Sequence, residues 1–310
     1  MSTSLYRAAI ASLALLLAAP LPAAAAALPA LPSADAQFDS GSLHVLRYGH
    51  GDPVVLLPGL TTGPWEWAGM IRHLAPSHTV YAVALPGFDG RPAATAPLFD
   101  RTTRDFWSML DAQKIARPVV MGHSLGGTLA ILLGEQHSER LRGIVALDGL
   151  PIFPGMERLT AEQRAGAAQQ ASAPIAGQSH DQLLAFDKQY MRSAGGVLDD
   201  QLSDQIAELA ANSDPAATAQ WLREDLGSDT RADLAKISVP LLEIVPYNAP
   251  DLTGSPVQYT EDQKAGYYRT LLAGAPKLQV ISISPARHFA MFDQPDKLNT
   301  LVDAFLAQNR

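Results

Sequence analysis

Short β-branched and aliphatic stretches break the polar background of the chain, and they are of two kinds. SLHVLRYG (residues 42–49) alternates apolar and polar positions, the pattern of an antiparallel strand at a sheet edge. PVVLLPG (53–59), TVYAVALPG (79–87), RPVVMG (117–122), RGIVALDG (142–149), VPLLEIVP (239–246) and KLQVISIS (277–284) are instead continuous apolar runs. Runs of this length suit strands buried on both faces of a parallel sheet. Between them the spacing turns helical, for example over 104–115, 127–137 and 296–308. Strand-helix alternation of this kind predicts an α/β fold, a parallel sheet covered by helices on both faces.

One interval departs from the rhythm. From Pro151 to Lys236 no strand pattern occurs, only helical segments such as DDQLSDQIAELAANS and TAQWLREDL. Leu183, Leu184, Phe186, Tyr190 and Met191 give it apolar spacing that a disordered linker would lack. The expectation is a helical insertion over 151–236. It divides the core into a first part, 27–150, and a second, 237–310.

The first 26 residues change the picture of where the protein works. Arg7 supplies a positive start, residues 8–19 a short apolar run, and Ala24 to Ala27 small-residue cleavage options. The run is too short to span a bilayer and is closed by Pro20 and Pro22. A cleaved signal peptide over 1–26 is expected, with a periplasmic or secreted product and no stable membrane insertion afterwards. The sequence holds no cysteine, so disulfides and thiol chemistry play no part. A formal charge of −8 argues against nucleic acid as a partner.

The chemistry concentrates at Gly122-His123-Ser124-Leu125-Gly126, a G-x-S-x-G stretch with a buried strand before it and a helix after it. In that context the serine occupies a strained strand-to-helix turn that leaves no room for a Cβ at the flanking glycines. The turn lifts the Ser124 hydroxyl above the sheet, where it can serve as a nucleophile once a base takes its proton. His288, in SPARHFAMFDQP after the last strand, is placed to be that base, because open α/β sheets gather their sites at the strands' C-terminal ends. His123, beside the serine, is read as structural.

LLPGL, ALPGFDGR, VVMGHSLGG, VPLLEIV and ARHFAMFDQPDKL, in this order, resemble the successive signature segments of the α/β-hydrolase superfamily. The resemblance implies a mostly parallel eight-stranded sheet, a helical cap inserted after the sixth strand and a Ser-acid-His triad. It implies Ser124 as nucleophile and His288 as general base, then general acid. It also implies an oxyanion hole from the backbone N–H groups of Leu125 and Leu60, although Pro58 stands where many members have a histidine. For the acid, the family pattern points to the turn after the seventh strand, here LLEIVPYNAPDL, which lacks the usual glycine and carries Asp251 about two residues late. Asp148, at the end of the sixth strand, is the alternative. Asp251 is preferred on loop position.

A serine triad implies acyl transfer on a small-molecule substrate, most simply carboxylic ester hydrolysis, with no metal or organic cofactor. Lactone, amide, peptide or carbon–carbon hydrolysis on the same triad are the alternatives, as is a non-catalytic ligand-binding protein on the same fold. Oligomeric state is not legible in the sequence.

Overall fold

The computed structural model describes residues 27–253 and 258–309; the expected signal peptide lies outside the described residues. The strands are β1 (Ala36–Ser40), β2 (Leu43–Tyr48), β3 (Asp52–Leu57), β4 (His78–Ala84), β5 (Val119–His123), β6 (Gly143–Leu147), β7 (Leu241–Pro246) and β8 (Leu278–Ile283). They form one eight-stranded sheet in the order β1-β2-β4-β3-β5-β6-β7-β8. The β1–β2 and β2–β4 pairs are antiparallel and the remaining pairs parallel. The fold is therefore the mostly parallel α/β sheet that the apolar runs predict.

The runs also explain burial. β5, β6 and β7 are buried at every position, because helices cover both faces of the sheet centre. Val55 and Leu57 of β3 point into one core, with side chains from α2 (Leu98–Ala112), α3 (Leu125–His137) and α8 (Glu261–Leu271). Val54 and Leu56 point into the other, against α1 (Ala68–Leu74) and α10 (Pro295–Gln308).

Two strand expectations need correction. The sheet edge next to β2 is occupied by β1, which pairs with it through a tight turn at Gly41 and Ser42. β1 has a single large apolar residue, Phe38, so its sequence gives little strand signal. β8 is the opposite edge, and its residues alternate between partly buried and exposed rather than lying in a continuous core.

Between β6 and β7 the chain builds α4 (Ala161–Ser172), α5 (His180–Met191), α6 (Asp200–Ala210) and α7 (Pro215–Gly227). Each begins on a side-chain cap: Thr160 and Ser179 in reciprocal capping boxes with Gln163 and Gln182, then Asp199 and Asp214. Trp221 of α7 fastens this layer to the sheet. Its indole N–H donates to the Pro86 carbonyl at 3.0 Å, and its ring lies 5.9 Å from Phe88 and 5.8 Å from Phe99. Among the described residues no helix is long and apolar enough to cross a membrane.

Candidate active site

Ser124 stands between the end of β5 and the start of α3, at φ +53° and ψ −121°. That conformation is costly for a residue with a Cβ and persists only where the surroundings enforce it. They do so here by crowding: a Cβ at Gly122 would land on the Gly126 carbonyl, and one at Gly126 on the Leu57 carbonyl. The Ser124 N–H donates to the Leu147 carbonyl at 2.9 Å, tying the turn to the end of β6.

The residue after Leu147 is Asp148, also at a positive φ, +53°. Its N–H donates to the Ile244 carbonyl at 3.0 Å, and its carboxylate turns over the strand ends. Asp148 Oδ2 lies 2.5 Å from His288 Nδ1, and the Tyr268 hydroxyl donates to Oδ1. Burial alone would raise the Asp148 carboxyl. The Lys264 charge, the His288 ring and the Tyr268 hydroxyl outweigh it and hold the group well below the usual carboxylate range. Lys264 is itself fixed by donating to the Pro246 carbonyl at 2.6 Å. Burial pushes the His288 imidazole below its ordinary value, against the opposing pull of Asp148.

Asp251 does not face His288. It sits in the short turn Ala249–Leu252 after β7 and makes a two-pronged ion pair with the neighbouring Arg287, at 2.7 Å to Nη2 and 3.0 Å to Nε. Arg287 also donates to the Val197 carbonyl at 2.8 Å. The preferred acid thus braces the histidine loop from one residue away, and the alternative, Asp148, takes the place beside the ring.

A residue that the sequence reading passes over ties the loops together. Glu66, between Trp65 and Trp67, is buried and accepts from the Gly59 N–H at 3.1 Å and the Thr62 hydroxyl at 2.6 Å. His123 Nδ1 lies 3.3 Å from the same carboxylate, while its Nε2–H donates to the His288 carbonyl at 3.1 Å. The His123 and His288 rings are 4.6 Å apart. A continuous bridge therefore runs from the Gly59–Thr62 loop, which carries Leu60, to the backbone of His288. The signal for it was an acid flanked by two tryptophans directly after the LLPGLTTG loop.

Ser124 and His288 together line two adjoining cavities of about 200 Å³ each. Leu60 lines the second beside Ser124, and Leu125 opens α3. Phe153 lies on the wall of both cavities, and Phe289 on one; Trp67 and Phe88 are core residues. Phe186 and Tyr190 of α5 stack 6.3 Å apart on the cavity wall while remaining exposed. Among the described residues no cluster of His, Asp and Glu could hold a metal ion.

A family model described as alpha/beta hydrolase family matches residues 54–301. The RutD protein of Azorhizobium caulinodans, which carries a provisional carbamate-hydrolase name, is 26% identical over 264 residues, 84% of this chain and 93% of its own. A pimeloyl-[acyl-carrier protein] methyl ester esterase of Nitrosomonas europaea is 25% identical over 222 residues, covering 66% of this chain and 79% of its own. Among solved structures, an enol-lactonase from Burkholderia xenovorans superposes with a TM-score of 0.63 at 19% identity, over 86% of this chain and 96% of that one. At that identity the likeness is one of fold.

Proposed function

From the premise that the chain belongs to the alpha/beta hydrolase family, we propose that it is an exported serine hydrolase acting on a carboxylic ester or a related acyl bond. The observation that carries this reading is the Asp148–His288 pair, 2.5 Å across, beside a serine held at positive φ on the wall of a shared cavity. Esterase and hydrolase relatives support it.

In this reading His288 takes the Ser124 proton as the serine oxygen attacks the substrate carbonyl. Asp148 holds the ring by Nδ1 and stabilises the imidazolium that forms. The Leu60 and Leu125 N–H groups receive the developing oxyanion. Imidazolium then protonates the leaving alcohol, and water, activated by the same His288, releases the acid and regenerates the serine. A fluorophosphonate should label the wild-type protein at Ser124, and Ser124→Ala should lose both labelling and hydrolysis of short activated esters while remaining folded. Labelling at another residue, or wild-type turnover by the alanine variant, would sink the reading.

Export rests on the apolar leader and its alanine cleavage options. Intact-mass analysis of protein recovered outside the cytoplasm should place the mature N-terminus near Ala27. Recovery only of full-length cytoplasmic protein would exclude it.

A further inference from the structure

The cavity that contains Leu60 beside Ser124 is walled largely by apolar side chains, among them Ile175, Leu183, Leu222 and Phe289. Two polar wall residues stand out. Asp187 is 4% exposed and Thr218 2% exposed, and neither Asp187 Oδ2 nor Thr218 Oγ1 has a hydrogen-bond partner. A buried carboxyl oxygen and a buried hydroxyl without partners are costly to maintain. Ligand cavities place a small number of such groups against an apolar wall to fix orientation. Asp225 also lines both cavities, and burial raises it and Asp187 to about 7, in surroundings with no cation to stabilise their ionised forms. Among the described residues no lysine or arginine lines either cavity.

Resting on the hydrolase reading above, we propose that the substrate carries an aliphatic chain bearing an O–H or N–H donor that pairs with Asp187 Oδ2 and Thr218 Oγ1. A second carboxylate on that chain is disfavoured, because neither cavity offers it a lysine or arginine among the described residues. The apolar wall takes the methylenes, and the two polar atoms read the chain's functional group.

The test compares size-matched esters. Methyl 6-hydroxyhexanoate, methyl 6-aminohexanoate, methyl heptanoate and monomethyl adipate vary the acyl side. The pair 6-hydroxyhexyl acetate and heptyl acetate varies the alcohol side. The donor-bearing ester of one side should exceed its methyl-terminated match in kcat/KM by about tenfold, although the methyl-terminated ester is the more hydrophobic. Which side shows the preference assigns the cavity to acyl or alcohol, and the amino arm separates N–H from O–H recognition. Monomethyl adipate should be the poorest acyl substrate. In Asp187→Leu the donor-to-methyl ratio should fall to about one or below, and in Thr218→Val, a near-isosteric change that keeps the proposal testable if the first variant does not fold, it should fall part of the way. A wild-type protein that ranks the methyl-terminated ester first on both sides overturns the proposal, as does a ratio that survives both substitutions. Calorimetric binding of the same esters to Ser124→Ala reads the preference without turnover. Absent hydrolysis and fluorophosphonate labelling would then defeat the hydrolase reading, whereas equal binding of donor and methyl esters would defeat the donor site.

Discussion

Ser124 and Asp148 both sit at φ +53°, one at the end of each of two adjacent parallel strands, and each owes its direction to that backbone. For Asp148 the turn carries the carboxylate to His288 Nδ1, so Asp148→Asn should leave the fold and lower kcat by about three orders of magnitude or more. The scale comes from the equivalent aspartate change in serine proteases. Asp251→Asn, which weakens only the clamp on Arg287, should cost less than about tenfold, since its effect reaches the ring through one intervening residue. The reverse ranking in folded variants would return the acid to the β7 turn. Because His288 titrates below its ordinary value, activity in the wild type should rise with pH on the acid side and be complete by neutrality. Asp148 is what pulls that value upward, so the residual activity of Asp148→Asn should show its rising limb at still lower pH. Ser124 and His288 were legible because their local sequence states their geometry: glycines around one, and a loop after the last strand for the other. The acid was not. Asp148 and Asp251 follow neighbouring strands, and the choice between them turns on Arg287, whose capture of Asp251 no local pattern announces.

At the scale of elements, the continuous apolar runs fixed the central strands because full burial on both faces demands them. What escaped the sequence depends on partners far along the chain. α2 begins at Leu98, several residues before its amphipathic signal, because the Glu224 carboxylate of α7 caps it, accepting from the Leu98 and Phe99 N–H groups at 2.8 Å each. β1 pairs on the strength of β2, with one aromatic of its own. The Glu66–His123 bridge is of the same kind: it joins the β3 loop to the histidine loop through side chains that are distant in sequence. Its placement predicts a positioning role. Glu66→Gln keeps the size of the side chain but weakens its hold on the Gly59 N–H and the Thr62 hydroxyl. A small shift of the Leu60 N–H should then lower kcat by about tenfold to a hundredfold with little change in KM, since the oxyanion forms only as the reaction proceeds. A rise in KM at unchanged kcat would instead make Glu66 a substrate-pocket residue.

Across the whole molecule, burial outweighs every stabilising partner at several acids, and their protons couple folding to pH. Burial raises Asp187 and Asp225 to about 7, Glu135 to about 8, and Glu243 well above its ordinary value. The unfolded chain releases these protons near the ordinary carboxylate range, whereas the folded chain keeps those of Asp187 and Asp225 until about 7 and that of Glu135 until about 8, and Glu243 is raised in the same direction. Between those limits the folded state binds more protons, so stability falls as pH rises. His288 acts in the opposite sense, because its lowered value makes the unfolded chain the better proton acceptor, but only below its ordinary value of 6.5. Asp148, held low, matters only under stronger acid. From pH 6.5 to 8.5 the raised carboxyls set the direction, and the melting temperature should decline over that window. The net charge of −8 adds repulsion of the same sign, so a local control is needed. Glu135 supplies it: it is 5% exposed on α3 and lines neither cavity of the candidate site. Glu135→Gln keeps the volume, removes one titration and should flatten the slope of melting temperature against pH. A wild-type melting temperature that holds level or rises from pH 6.5 to 8.5 would mean that these carboxyls reach water or a cation in the folded protein.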